Sequence, residues 1–338
     1  MKAFVTGSTG LLGNNLVREL LEHGFEVRAL VRSRAKANKT FAGLNVEVIE
    51  GDMENVAGFA KTLEGCDVLF HTAAFFREYY EPGDHWPMLK RINVDATIQL
   101  LEAAERAGVK RAVHTSSSGT IGMKPNGAYG DESTVILLES TSNLYFRSKV
   151  ECDAAITTFL KSHRSHPHKL EVMTILPGWM FGPGDAAPTN SGQLVLDFLG
   201  RKLPGILDGG TTTVDARDVA RGMRLAAESG RSGEKYIIAG NFVSFAQIFL
   251  GIEKASGVPA PKLRLPNPVI LMLAHITEFF ARLTRTRPML PVEAIKAMQA
   301  KDGADSSKAV REFGLNFRPI EETLRDTVAW FRSNARAS

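Results

Sequence analysis

Short apolar runs alternate with stretches of helical spacing through the first half of the chain. Lys2-Ala-Phe-Val-Thr6 is an apolar run that ends in a glycine-rich turn. Leu11 to His23 then carries apolar residues at 12, 16, 17, 20 and 21, the spacing of one helix face, and Gly24 stops it. Further strands are predicted at Phe25–Val31, Val46–Glu50, Val68–His71, Arg111–Thr115 and Leu170–Leu176, with helices over Met88–Ala107 and Tyr145–Leu160. Strands separated by helices imply right-handed crossovers and an α/β fold built on a doubly wound parallel sheet.

After Pro177 the pattern loosens. Pro and Gly punctuate 177–210, helices dominate from Phe245, and Glu234–Ala239 reads as one more strand. The expected organisation is a sheet domain over 1–176 with return segments near 211–240, and a smaller, mainly helical substrate-binding part over 177–338. The chain has 338 residues, 44% hydrophobic and 23% charged, with a net charge of +4. That small excess suits a solvated surface with a pocket for a phosphate-bearing ligand better than a nucleic-acid footprint. The two cysteines, Cys66 and Cys152, form neither a disulfide framework nor a metal site and fit a reducing cytosol. With a strand starting at Lys2 there is no room for a signal peptide, so a cytoplasmic protein is expected. His163, His166 and His168 surround Pro167 without acidic or thiol partners at metal spacing; they read as a surface loop, and no metal is expected.

The first turn, Thr6-Gly-Ser-Thr-Gly-Leu-Leu-Gly13, places glycines at 7, 10 and 13. Gly7 permits a tight strand-to-helix turn, Gly10 lets backbone approach a pyrophosphate, and Gly13 lets the helix pack closely on the sheet. Gly7, Thr9, Gly10, Leu11, Leu12 and Gly13 thus form a dinucleotide cradle, completed by the free N–H groups and positive dipole of a helix N-terminus. No Asp or Glu occurs between Arg28 and Asn45 to accept from a ribose 2′-OH. Arg32 stands there instead, supported by Ser33 and Arg34, and a guanidinium can pair bidentately with a 2′-phosphate. The cofactor implied is NADP rather than NAD. Lys36 and Lys39 read as solvated helix-face charges.

Tyr145-Phe-Arg-Ser-Lys149 sets a phenol and an amine four residues apart, on one helix face. A neighbouring ammonium favours the phenolate, which suits Tyr145 to exchange a proton with a carbonyl oxygen as hydride arrives. Thr115-Ser-Ser-Ser118 ends a strand, where ligands sit in open α/β sheets, and a hydroxyl there can polarise the carbonyl. The residues alone leave Ser116, Ser117 and Ser118 open.

The glycine spacing, the serine cluster and the Tyr-x-x-x-Lys pair, in this order from Lys2 to about Trp330, resemble the extended short-chain dehydrogenase/reductase superfamily (the NAD-dependent epimerase/dehydratase family) and its Rossmann fold. Thr-Ser-Ser-Ser-Gly-Thr-Ile is most similar to the dihydroflavonol-4-reductase-like and 3β-hydroxysteroid-dehydrogenase-like branch. The resemblance implies Ser117 as the catalytic serine and Asn93 as holder of a relay water to Lys149. It implies Asp52 and Met53 flanking adenine, Thr72, Ala73 and Ala74 lining the cofactor ribose, and Pro177 opening a segment that meets the nicotinamide amide. It also implies a helix-capping Asp218 and a possible homodimer through the helices at 88–107 and 145–160. His71 reads as a core residue.

The expected activity is NADPH-dependent interconversion of a ketone or aldehyde and an alcohol. Phe75, Phe76, Tyr79, Tyr80, Trp86, Met123, Trp179 and Met180 suit an apolar or aromatic substrate. The alternative is a nucleotide-sugar epimerase using bound NAD(P), with Arg201, Lys202 and Arg217 as diphosphate ligands. Ser118-Gly119 stands where a dehydratase would carry an acidic pair. Leu265–Leu283 reads as an apolar helix covering the substrate pocket, with a membrane-surface role in second place.

Overall fold

The computed structural model describes the chain except for residues 77–82, 137–142, 163–168, 285–291, 293–302 and 336–338. Tyr79, Tyr80 and the histidines of 163–168 lie outside the described residues. The strands of the main sheet are β1 (Lys2–Thr6), β2 (Glu26–Val31), β3 (Val46–Glu50), β4 (Val68–His71), β5 (Arg111–Thr115) and β6 (Glu171–Pro177). Short strands β7 (Trp179–Phe181), β8 (Ile206–Leu207) and β9 (Gly210–Asp215) precede β10 (Lys235–Ile238), with β11 (Asn241–Ser244) and β12 (Arg264–Leu265) after it. Helices α1 (Leu11–Glu22), α2 (Arg34–Thr40), α3 (Trp86–Leu89), α4 (Ala96–Arg106) and α5 (Leu144–Ser162) belong to the first half. The second half contributes α6 (Asn190–Leu199), α7 (Ala216–Ser229), α8 (Phe245–Ser256), α9 (Asn267–Thr284), α10 (Ser307–Phe313) and α11 (Ile320–Ala335).

Seven parallel strands form the central sheet in the order β10-β6-β5-β4-β1-β2-β3, the doubly wound Rossmann arrangement. Alternation along β1 explains its two faces: Ala3 and Val5 turn to Leu12, Leu16 and Leu20 of α1 and to Val219 and Met223 of α7, whereas Phe4 turns to Leu100 and Leu101 of α4 and Ile156 and Phe159 of α5. Each fully buried Leu or Phe contributes about 1.5–3 kcal/mol relative to exposure, so both layers are held mainly by apolar burial. The strand expected at 234–239 does return to the sheet, pairing Tyr236 with Ile175 of β6. A separate cluster joins Phe198 of α6, Phe245 and Phe249 of α8, and Leu324, Val328 and Phe331 of α11.

Three features differ from the sequence reading. The helix expected over 88–107 is interrupted by a π-helical segment, Lys90–Asp95, between α3 and α4. A three-stranded sheet, β11-β9-β7, has no counterpart in the pattern, because Gly210-Thr-Thr-Thr carries no apolar run although Thr212 and Thr213 are buried. The cap of α7 is Asp215, whose carboxylate accepts from the Arg217 N–H at 2.8 Å. Asp218 lies one turn in, buried, and accepts instead from the Arg318 backbone N–H (2.7 Å) and guanidinium.

Asp218 therefore fastens the segment entering α11 to α7. Asp218→Ala removes charge-assisted bonds whose loss costs about 2 kcal/mol, given that Arg318 is partly solvated. Chemical denaturation should show a lower midpoint, and an unchanged midpoint would contradict this role.

Candidate active site

The strand order reverses between β1 and β4, and the carboxyl ends of β1, β4, β5 and β6 open into one cleft of about 1000 Å³. Gly7 has φ +65°, and a Cβ there would lie 2.6 Å from the Ala73 nitrogen, so only glycine lets the turn pass beneath the chain leaving β4. A Cβ on Gly13 would overlap the Gly7 carbonyl; its closeness is to the turn rather than, as the spacing suggested, to the sheet. On Gly10 a Cβ would meet only the Gly7 oxygen, at 3.3 Å, and Gly10 caps α1 without any side-chain bond. The first-turn N–H groups of α1 are thus left to a ligand, and Thr9, Gly10, Leu11, Leu12 and Gly13 line the cleft. This cradle fits a pyrophosphate.

Arg32 and Lys36 stand at the same end of the cleft, with Asp52 and Met53 beside them. Arg32 is exposed and makes no hydrogen bond or ion pair with any described residue, whereas Arg34 turns away to the Val48 carbonyl (3.3 Å) and Glu50. Ser33 caps α2 by accepting from the Lys36 N–H at 3.3 Å. Lys36, read from sequence as a solvated helix-face charge, lines the cleft, and Arg34 does not; one turn of α2 carries Lys36 back to it, which linear order does not reveal.

At the other end, α5 presents Tyr145 and Lys149 to the cleft. The Lys149 ammonium is buried, donates to the Thr115 carbonyl at the end of β5 (2.8 Å), and lies 5.8 Å from the Tyr145 ring centre. Burial pushes its pKa below the usual lysine range, opposed by Cys152 and Asp153. The Tyr145 ring rests on Phe76, with centres 4.6 Å apart. Ser116, Ser117 and Ser118 all line the cleft. Ser116 Oγ is buried without a partner among the described residues, while Ser117 Oγ accepts from the Gly119 N–H at 3.2 Å and keeps its own hydrogen to donate. Asn93, in the π-helical segment, accepts from the Phe75 N–H (2.8 Å) and donates to the Phe75 carbonyl (3.1 Å) and Ser148 Oγ (3.1 Å). Its side chain therefore joins the strap Thr72–Phe76 to the catalytic turn of α5, since Ser148 in turn donates to the Tyr145 carbonyl at 2.7 Å.

His71 is a buried core residue, as its position in β4 suggested. The Ala73 N–H donates to Thr6 Oγ1 (3.3 Å), and Thr6 Oγ1 bonds His71 Nδ1 (2.7 Å). Thr97 Oγ1 donates to the Asn93 carbonyl, so it accepts from His71 Nε2 (3.0 Å). These roles assign a neutral imidazole protonated at Nε2. Burial first, and the Lys149 ammonium second, bring its pKa down to about 3.

The wall facing Tyr145 is apolar: Phe75, Phe76, Met88, Ile121, Ile136, Phe146, Trp179 and Met180, with Pro177 and Gly178 at its base. Gly119 makes room for Phe146, whose ring a Cβ would overlap. Trp86 and Met123 do not line the cleft; the Trp86 ring instead carries the Arg147 guanidinium at 4.2 Å. Asn143, Thr189, Asn190, Ser191, Thr211 and Thr212 add polar groups that sequence reading missed, because the loops carrying them are far apart in the chain. Arg217 is committed to Asp215 and Asp326, and neither Arg201 nor Lys202 reaches the cleft. None of the described residues of α9, read from sequence as a cover for the pocket, lines the cleft. Among the described residues, no cluster of His, Cys, Asp or Glu could hold a metal ion.

A doubly wound sheet with a dinucleotide cradle and a Ser, Tyr, Lys constellation in one cleft defines a nicotinamide-dependent enzyme. The sequence matches the NAD dependent epimerase/dehydratase family over residues 3–239, and the chain belongs to that family, within the extended short-chain dehydrogenase/reductases. It is 33% identical to a Synechocystis sp. protein named "Putative dihydroflavonol 4-reductase", over 98% of this chain and 94% of the relative. It is 34% identical to "Sterol demethylase protein B" of Methylococcus capsulatus, over 98% of both. The crystal structure of gox2253 superposes with a TM-score of 0.81 at 30% identity, covering 99% of this chain and 98% of that one.

The neutral His71 has a folded pKa below its unfolded value of about 6.5. Its contribution to stability is full above about pH 6.5 and is lost as pH falls towards about 3. His71→Gln should flatten the acid limb of a stability-against-pH curve; an equally steep limb would refute this account.

Proposed function

We propose that the protein is an NADPH-dependent reductase/dehydrogenase that interconverts an apolar or aromatic ketone or aldehyde and its alcohol. The observation that carries this reading is the pairing of Tyr145, Lys149 and the serine turn with an apolar wall that has no cation other than Lys149 among its described lining residues. Among the described residues of that wall, a nucleotide-sugar diphosphate would meet no counter-ion other than Lys149. The names of the two relatives, a dihydroflavonol reductase and a sterol demethylase protein, support a polycyclic apolar substrate.

In this mechanism the cradle Gly7–Gly13 holds the pyrophosphate, Arg32 with Lys36 binds the 2′-phosphate, and Asp52 and Met53 flank the adenine. Thr72, Ala73 and Ala74 line the ribose, and Pro177 opens the segment that contacts the nicotinamide. NADPH, when bound, supplies the hydride. Ser117 donates a hydrogen bond to the substrate carbonyl oxygen, stabilising the charge that develops on it. Tyr145 delivers its phenolic proton to the same oxygen. Lys149, fixed by the Thr115 carbonyl, stabilises the phenolate left behind and binds ribose hydroxyls. Asn93 positions the strap and α5 through its side chain and completes the proton path to Lys149 through a water.

Tyr145→Phe should lower ketone-dependent NADPH oxidation by at least about 10³-fold, within the range of general acid–base contributions, while NADPH affinity measured by fluorescence titration stays nearly constant. Arg32→Asp should lower the NADP over NAD preference by at least about tenfold in kcat/KM, the worth of one charge-assisted bond. Retained turnover in the first variant, or unchanged preference in the second, would sink the corresponding assignment. Turnover of a nucleotide sugar without net cofactor consumption would favour an epimerase.

A further inference from the structure

Tyr145, Lys149 and Asp153 follow one another at i, i+4 and i+8 along α5. A phenol, an ammonium and a carboxylate thus stand in a row on one face of the helix, with about 6 Å of rise between neighbours. Tyr145 and Lys149 open into the cleft; Asp153 lies one turn behind Lys149 and does not line it. Asp153 is nonetheless buried, 4% exposed. Its Oδ2 accepts from Lys235 Nζ at 2.7 Å, and its Oδ1 is buried with no hydrogen-bond partner among the described residues. Lys235 opens β10, at the edge of the sheet, and its side chain is partly exposed. A buried carboxylate oxygen without a bond is costly unless a charge close by compensates it.

The groups packed around this row leave the field at Lys149 to Asp153. Cys152 carries a thiol that burial pushes up to about 12, so it is uncharged at neutral pH; its Sγ lies 3.7 Å from His114 Nε2 of β5. Burial first, and the Lys149 ammonium second, hold the His114 imidazole well below the usual histidine range, as they do that of His71 on β4, 5.3 Å away between ring centres. Both imidazoles are therefore neutral. Asn93 and Thr97 are uncharged, as is Thr174 of β6, opposite Lys235 in register. Lys90, Arg91 and Asp95 of the π-helical segment are exposed, and the buried Glu105 of α4 accepts from the Leu170 N–H at 3.2 Å. The remaining charges form pairs of their own: Arg147 with Glu151 on α5 (3.1 Å), Arg111 of β5 with Glu171 of β6 (3.1 Å), and Glu234 with Lys308 (2.6 Å). Burial favours loss of the Lys149 proton, and the ammonium is held by the Thr115 carbonyl. A carboxylate one turn away, in a medium that screens weakly, favours the ammonium form, and the Lys235 cation weakens that effect.

We propose that Asp153 is a positioning residue that holds Lys149 in its ammonium form from behind the cleft, with Lys235 limiting the strength of that hold. Its bearing on catalysis rests on the proposed role of Lys149 as the stabiliser of the Tyr145 phenolate.

The test is an NMR titration of the full chain isotopically labelled at lysine Cε, with Lys149→Met assigning the Lys149 signal. Asp153→Asn should move the Lys149 midpoint to lower pH by at least about 0.5, Lys235→Met should move it to higher pH, and Asp153→Glu should stay near the wild type. The double variant Asp153→Asn with Lys235→Met leaves no member of the pair buried alone, so it keeps the question open to measurement if Asp153→Asn does not fold by circular dichroism; its midpoint should lie below that of Lys235→Met. The alkaline limb of kcat for NADPH-dependent ketone reduction should move in the same directions. The productive state carries both the Tyr145 proton and the Lys149 charge, and removal of a nearby carboxylate weakens both. A Lys149 midpoint unmoved in the folded variants, or moved the same way by both single variants, overturns the proposal. Ketone turnover absent from the wild type, with the midpoints displaced in opposite directions, fails the reductase reading alone, since the titration needs no substrate.

Discussion

The site rests on the crowding where the chain leaves β1 and β4, at the point where the strand order reverses. Gly7 passes so close to Ala73 that a Cβ has no room, and the same approach lets Thr6, Ala73 and His71 bond one another. From there a continuous chain of hydrogen bonds runs through Thr97 and Asn93 to Phe75, Ser148 and the Tyr145 carbonyl. The glycine turn and the helix bearing Tyr145 are therefore set relative to each other by buried, directional bonds in addition to apolar layers. Such a network is effective only when each member is satisfied, and it requires the His71 imidazole to stay neutral. The low-dielectric surroundings and the Lys149 ammonium enforce that state together.

Charge is unevenly distributed along the cleft. Arg32 and Lys36 lie beyond the cradle, where a phosphate would be met, whereas Lys149 is the only cation of the reacting end among the described lining residues. Its ammonium is desolvated and held by one carbonyl, so its field is weakly screened where it acts. The described apolar residues on that side offer a charged group no compensation for lost water. One cavity thus joins a cationic end to a largely apolar one.

Much of this was legible in the linear pattern. Six strands of the main sheet and the return of β10 follow from short apolar runs between helices, because strands buried on both faces leave that mark. The cradle, Arg32, the serine turn, Tyr145 and Lys149 were visible because each depends on local spacing within one turn or helix. Residues whose role depends on what lies opposite them were misread or missed: Lys36 lines the cleft and Arg34 does not, Asp218 proved to be an anchor for Arg318, and Trp86 and Met123 left the cleft to Met88, Ile121, Ile136 and Phe146.

By itself the sequence determined the class of fold, the family and the chemical groups available, since periodicity, glycine spacing and i,i+4 placement are short-range constraints that survive without coordinates. Tertiary structure decided how those groups are connected and which surfaces remain open. Only there do Thr6, His71, Asn93 and Ser148 become one network, the substrate wall lose its cations, and the apolar helix expected to cover the pocket contribute none of its described residues to it. Those outcomes depend on contacts between segments far apart in the chain, and no local pattern encodes which partner a side chain will find.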